Sequence, residues 1–387
     1  MLDLERPTRS IAALLFSVGL CLSASPLAAQ QNVERSEQHD FQVVTLAEGL
    51  AHPWGMAFLQ DGGILITERP GRLRLFKDGK LLADPIPGGP QAIARGQGGL
   101  LDVALHPDFA TNGYAYFSYA GAEPGEDQRL TGTEVARARF DGEELTALEV
   151  IFRARPKTPG GAHYGSRLVF DRDGKLYVSL GDRRNYMKEA QNPENHLGSI
   201  LRLNDDGGVP ADNPFAGETK VMGEIFTYGH RNVQGLALQP STGAVWAHEH
   251  GPRGGDEVNL LKSGANYGWP AITYGIDYSG AIISEKSAAP GMEQPVIYWD
   301  PSIAPSGMAF YDGDRFPQWK GDLFVGALAH RHLRRLEMDG QKVVGQEALL
   351  RDLGERIRDV RSGPDGFIYI LTDSARGRLI RLEPAAR

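Results

Sequence analysis

Short apolar runs punctuated by Gly, Pro and Asp dominate the pattern of hydrophobic and polar positions along this chain. One phrase recurs: a small apolar strand, a Pro or Asp-Gly turn, then a second apolar strand rich in β-branched and aromatic residues. Six copies are legible, at residues 54–67 (WGMAFLQDGGILIT), 101–118 (LDVALHPDFATNGYAYFS), 167–179 (RLVFDRDGKLYVS), 233–247 (VQGLALQPSTGAVWA), 306–325 (SGMAFYDGDRFPQWKGDLFV) and 357–372 (IRDVRSGPDGFIYILT). The turns predict hairpins, because Asp61-Gly62, Asp173-Gly174 and Asp365-Gly366 tolerate the positive φ that a tight connection needs. No long apolar stripe of period 3.6 lies between the copies, which disfavours a parallel sheet with crossover helices.

A four-stranded propeller blade takes about 40–50 residues. The copies recur at that interval or a longer one, and the surplus in the middle of the chain is room for loops. The pattern therefore predicts an all-β fold, a six-bladed β-propeller of four-stranded antiparallel blades. A strand at residues 41–46 is expected to complete the last blade and close the ring, which removes its open edges. A pair of β-sandwiches is the alternative, and six similarly phrased hairpins suit radial repetition better.

Composition narrows the function. Hydrophobic residues make up 41 % of the 387, enough for a substantial core, and 41 Lys and Arg against 49 Asp and Glu leave a net charge of -8. No basic stripe of the kind phosphate backbones need is present, so nucleic acid is not an expected partner. Arg6 and Arg9, the apolar run at 11–22 and the small residues Ala28 and Ala29 predict a signal peptide over residues 1–29, with a single propeller domain over 30–387. A short membrane anchor is the alternative for that segment, and Leu20 disfavours lipid attachment at Cys21. No later window reaches the roughly 20 apolar residues of a membrane span. The mature chain is thus expected to be periplasmic or secreted, and without its lone cysteine it has no disulfide, thiolate metal site or cysteine nucleophile.

Four loop clusters carry candidate chemistry, since propeller ligands bind where loops converge. In GGAHYGSRL, His163 sits among glycines just before a strand, as a base approaching a ligand would, or as a histidine capping a turn. In YGHRNVQGL, Arg231 and Asn232 precede the fourth copy, where the guanidinium could bind an anion or join a surface ion pair. The run HEHGPRGGDEVNLLKSGANYGWP offers Gly251 and Pro252 carbonyls and the Glu257 carboxylate, hard oxygen ligands of the type calcium takes, or else a solvated acidic loop. HEH lacks the HExxH spacing of a zinc protease. In ERIRDV, Arg356 and Arg358 alternate onto one strand face and would need anions if that face lines the channel. Asn204 to Gly208, NDDGG, lacks the downstream Glu of a calcium loop and reads as a turn. No GxGxxG or GxxxxGK[ST] motif supports a nicotinamide or P-loop site.

In this order, GQGGLLDVALHPDF, HYGSRL, YGHRNVQGL, EHGPRGGDEVN, NYGWP and RIRDV resemble the soluble quinoprotein sugar dehydrogenases, the glucose/sorbosone dehydrogenase family that carries pyrroloquinoline quinone (PQQ), and within it the aldose sugar dehydrogenase branch. The likeness runs from about residue 46 to 382 and implies a six-bladed propeller, in agreement with the repeat count. It implies that His163 is the general base that takes the proton of a sugar's anomeric hydroxyl. Arg231 and Asn232 correspond to residues that contact PQQ, Arg231 also stabilising charge on the quinone oxygen, and Gln97 to another cofactor-site residue. Arg356 and Arg358 match the arginines that bind the cofactor's carboxylates. The Gly251 and Pro252 carbonyls match those holding a calcium on PQQ, Glu257 and the Tyr267 carbonyl match a second, structural calcium, and Tyr278 looks like an aromatic neighbour of the cofactor ring.

Departures from the family pattern refine this. Ala162 and Asp300 replace residues of glucose-specialised members, which implies a broader aldose range. Ala329 lies where some relatives place a lysine on the cofactor, leaving backbone contacts. The expected partners are an aldose and an external electron acceptor, for a monomer or homodimer. A metal-dependent lactonase and a non-catalytic glycan- or protein-binding propeller are the alternatives.

Overall fold

The computed structural model describes residues 33–385 together with Leu2, so the expected leader at 1–29 lies outside the described residues. Six antiparallel sheets follow one another along the chain. Blade one comprises Pro53–Phe58, Ile64–Glu68, Arg72–Lys77 and Lys80–Leu81; blade two Leu100–Leu105, Tyr114–Gly121, Gly132–Phe140 and Leu145–Arg153. Blade three is Leu168–Phe170, Leu176–Ser179, Ser199–Leu203 and Ile225–Tyr228; blade four Val233–Leu238, Val245–Glu249, Asp256–Leu260 and Ile297–Trp299. Blade five is Pro305–Phe310, Leu323–Ala327, Leu333–Asp339 and Lys342–Leu349, and blade six begins with Ile357–Ser362, Ile368–Thr372 and Gly377–Pro384. Its fourth strand is Phe41–Leu50, paired from Phe41 opposite Pro384 to Leu50 opposite Gly377, so the predicted closing strand is present and longer than expected. Val33–Glu34 adds a short fifth strand to that blade. The first strand of each blade touches the first strand of the next, and the sixth returns to the first, which rules out a pair of sandwiches.

Each predicted copy is the first hairpin of a blade. The Asp-Gly turns are longer than a two-residue connection: in blades one, three and six the glycine alone takes positive φ, and the residue after the first strand closes the loop. Leu59 N–H donates to the Gly63 carbonyl, Asp171 to Lys175 and Gly363 to Phe367, so the three loops share one hydrogen-bond pattern. The two-residue period of the strands divides their side chains between neighbours. Ile64 and Ile66 pack towards blade six while Leu65 packs towards blade two. Leu176 and Val178 likewise face blade two, and Tyr177 faces blade four. Both faces are buried, which is why these strands read as continuous apolar runs.

At the centre, charge replaces apolar packing. Arg167 Nη1 lies 3.2 Å from Asp102 Oδ1 and 2.9 Å from Asp359 Oδ1, and Arg361 binds the same two carboxylates at 2.9 Å each. The other carboxylate oxygens accept the backbone N–H of Leu168 at 2.9 Å and of Met56 at 3.1 Å. Arg167 Nε reaches the Gln234 carbonyl at 3.1 Å, and its guanidinium lies over Trp54 at 4.1 Å. Burial pushes the Asp102 carboxyl up against the pull of Arg167 and Arg361. The innermost strands make space for these groups with glycine: a Cβ on Gly55 would fall 2.3 Å from Asp102 Oδ1, and one on Gly307 2.2 Å from Asp359 Oδ1.

Removing one partner of such a network strands the buried charges it leaves. Arg167→Met is expected to destabilise the fold by about 3–5 kcal/mol, read as a shift of the urea unfolding transition. A variant within about 1 kcal/mol of wild type would show that the quartet is not what holds the centre.

Candidate functional site

The topology gathers the candidate residues at one end of the ring. Within a blade, strands alternate in direction, so the residues before a first strand and those after a second strand share an end. Gln97, His163, Arg231, Asn232 and Arg356 precede first strands; Asp182, Gly251, Ala329 and Asp373 follow second strands. The insertion at 261–296 returns to this end, with Asn266 bridging Tyr228 and Ile276 bridging Arg253.

His163 is 6 % exposed and sits at φ 52°, between Gly161 and Gly165. Its backbone N–H donates to Gln97 Oε1 at 2.7 Å. Its Nδ1 lies 2.6 Å from Asp182 Oδ1. The Asp182 carboxylate also accepts Trp269 Nε1 at 2.8 Å and Arg184 N at 2.7 Å, so it is fixed from three directions. This leaves Nε2 as the imidazole atom without a hydrogen bond among the described residues, and with Nδ1–H donating to Asp182, Nε2 carries the free lone pair. Burial lowers the His163 pKa, with Arg231 and Arg184 acting in the same direction and Asp182 opposing them. The ring is therefore neutral at pH 7 and able to accept a proton.

The buried Arg231 guanidinium pairs with no carboxylate among the described residues, although the Arg231 backbone N–H donates to Glu249 Oε2 at 2.5 Å. Its Nη1 donates to the carbonyls of Gly251 at 2.7 Å and His250 at 3.1 Å, and its guanidinium lies 5.4 Å from the Trp269 ring. Asn232 Oδ1 accepts Gly165 N at 3.1 Å, which ties the fourth blade to the loop that carries His163.

A cavity of about 460 Å³ opens at this end, and its wall includes Gln97, Asn232, Ala329, Arg356, Arg358 and Asp373. Arg358 Nη2 lies 2.8 Å from Asp373 Oδ2, and its Nε is buried with no partner among the described residues. Arg231, Gly251, Glu257 and Tyr267 line an adjoining hollow together with Glu249. Glu257 and Glu249 face each other across paired strands. Burial, with the Glu249 charge beside it, pushes the Glu257 carboxyl up to about 8. Pro252 is buried next to Gly275. Tyr278 stands apart, 60 % exposed, its ring 6.0 Å from the Arg231 guanidinium. Among the described residues no three metal-ligating side chains converge, so a cation in the hollow would draw mainly on main-chain carbonyls. The NDDGG run is a turn, closed by Asn204 N–H on the Gly208 carbonyl.

Sequence reading missed Asp182, Asp373, His52 and Glu249 as members of this site. A signal existed for the first two: each closes the second strand of a repeat, in SLGD and ILTD.

Residues 50–381 match the family model for glucose/sorbosone dehydrogenase. The aldose sugar dehydrogenase YliI of Escherichia coli is 46 % identical over 94 % of this chain and 96 % of its own length. Quinoprotein glucose dehydrogenase B of Acinetobacter calcoaceticus is 28 % identical over 90 % of this chain and 89 % of its own. The structure of the PQQ-bound aldose sugar dehydrogenase of Streptomyces coelicolor superposes with a TM-score of 0.73 at 27 % identity, covering 89 % of this chain and 98 % of that one.

Because Asp182 raises the His163 pKa against burial, Asp182→Asn is expected to lower it further and to loosen the tautomer. Nitrogen chemical shifts of the His163 ring, followed through a pH titration, check this. An unchanged titration and an unchanged tautomer would remove Asp182 as the group that orients the base.

Proposed function

The chain belongs to the glucose/sorbosone dehydrogenase family, and from that premise we propose that it is an exported, calcium- and PQQ-dependent aldose dehydrogenase that oxidises the anomeric carbon of aldoses to the lactone and passes the electrons to an external acceptor. The observation that carries this reading is a cavity with two arginines on its wall, lined also by Tyr164 and Gly165 of the loop that holds the buried, carboxylate-held His163 and by Gln97, which accepts the His163 backbone N–H.

The residues fit a planar tricarboxylate. Arg356 and Arg358 present guanidinium donors to the cavity, and the buried Arg358 Nε has no acceptor among the described residues. Carboxylates are the natural partners of such groups. Gln97, Asn232 and Ala329 would complete the cradle, Tyr278 would flank the ring, and Arg231 would face charge accumulating on the quinone oxygen. The hollow fits a hard cation, since the carboxylates of the buried Glu249 and the partly buried Glu257 lie there with carbonyls close by. Glu257 and the carbonyls of Gly251, Pro252 and Tyr267 would hold calcium, and Glu249 adds negative charge beside them. When bound, PQQ supplies a two-electron acceptor and calcium a Lewis acid.

The protein's own part is proton transfer and orientation. His163 Nε2 takes the proton of the anomeric hydroxyl, and Asp182 stabilises the imidazolium that results. The Arg231 guanidinium, whose own hydrogen bonds go to carbonyls, supplies positive charge. The signal-like segment at 1–29 supports export to the periplasm or beyond.

Sugar-dependent dye reduction by the purified protein is expected only after PQQ and calcium are both added, and across several aldoses. Metal-dependent lactone hydrolysis without dye reduction would replace the dehydrogenase by a lactonase. His163→Gln is expected to lower turnover by about 100-fold or more while PQQ remains bound. Wild-type turnover in that variant would take His163 out of the mechanism.

A further inference from the structure

Asp373 sits directly after the second strand of blade six, on the cavity wall. Its Oδ2 accepts Arg358 Nη2 at 2.8 Å and lies 3.4 Å from Arg356 Nη2, while Oδ1 lies 3.0 Å from His52 Nδ1. Its own backbone N–H donates to the Arg356 carbonyl at 2.8 Å, so the main chain holds the carboxylate against the two arginines. No other carboxylate among the described residues pairs with either guanidinium. Their remaining contacts are neutral: Arg356 Nη1 to the Leu328 carbonyl and Arg358 Nη1 to Gln234 Oε1, both at 3.3 Å. One carboxylate thus serves two cations and leaves donors to spare.

We propose that Asp373 is a resident counter-ion of this arginine pair, which stabilises the protein before a ligand arrives and competes with the carboxylates of an incoming polycarboxylate, thereby setting how tightly the cofactor is held. The inference rests on the reading of the cavity given above. The largely buried Arg358 guanidinium and the more exposed Arg356 beside it would repel, and Arg358 would lose hydration, without an anion between them. Asp373 relieves that cost. An anionic ligand that uses the same donors then meets a fixed negative charge a few ångströms away, in a wall where charges are poorly screened. Although burial acts in the opposite direction, Arg358, His52 and Arg356 hold the Asp373 carboxyl below the ordinary carboxylate range, so it stays ionised while the ligand binds.

The test is calorimetric titration of PQQ, in the presence of calcium, into wild type, Asp373→Asn and Asp373→Glu, with thermal melts of each protein before addition. The Asn variant is expected to bind about tenfold tighter or better and to melt lower without ligand, whereas the Glu variant, which keeps the charge, stays close to wild type in affinity. Asp373→Ser is read in the same way should the Asn variant fail to fold. Binding by the neutral variants that is no tighter than wild type overturns the proposal. A planar tricarboxylate lacking the quinone, benzene-1,2,4-tricarboxylate, separates the two readings. If PQQ binds none of the proteins but this probe binds the Asn variant more tightly, the counter-ion role stands and the cofactor reading falls. If the probe shows no gain either, the counter-ion role falls with it.

Discussion

The molecule depends on a small set of opposite charges buried where six sheets meet. Asp102, Arg167, Asp359 and Arg361 share four short contacts, and their remaining donors and acceptors reach backbone atoms of blades one, three and four. An apolar plug of equal volume would place no directional demand on the strands around it. Here each carboxylate oxygen and guanidinium nitrogen must meet a partner at hydrogen-bond distance, so the innermost strands are held at matched heights. The same arginine also reaches the Arg358 carbonyl, at 3.5 Å, which joins the centre of the ring to the cationic wall of the cavity.

From that alignment follows the electrostatic character of the site. Three cationic or basic groups sit within one end of the ring, each with a different partner: His163 with a carboxylate held by three donors, Arg231 with carbonyl dipoles, and the Arg356–Arg358 pair with a single shared carboxylate. A neutral imidazole with a fixed tautomer accepts protons, a guanidinium facing only dipoles keeps its charge available, and a half-neutralised pair attracts anions. Glu249 and Glu257 supply the opposite sign in the neighbouring hollow. Arg231 lines that hollow as well, so positive and negative groups meet along its wall.

Much of this was legible in the residue order. The repeated hairpin phrase carries the blade count because both strand faces are buried and the turns demand glycine, and the strand before the first copy announces ring closure. The candidate loops were legible because antiparallel strands return the connections to one end. Asp182 and Asp373 escaped because each acts on a residue that lies beyond a hairpin, and no local periodicity links SLGD to HYGSRL or ILTD to RIRDV. The central charges were visible as polar residues inside apolar strands, in LLDV, SRLV and RDVRS, but which of them pair is decided by the closure of the ring. Tyr278 marks the opposite limit, since its surroundings are set by the long insertion of blade four and not by any repeat.

Blade six is built from both ends of the described chain. Arg378 Nη1 reaches Thr45 Oγ1 at 3.1 Å although the two residues are 333 positions apart. A chain synthesised from its N-terminus must therefore carry residues 41–50 as an unsatisfied strand until the last strand emerges, while blades one to five pair locally as they appear. Completion of the native ring is a late, high-contact-order event. Once made, that join works as a latch. Opening it means parting the strand Phe41–Leu50 from Gly377–Pro384, and contacts that form this late in folding are the kind that slow unfolding more than they speed folding.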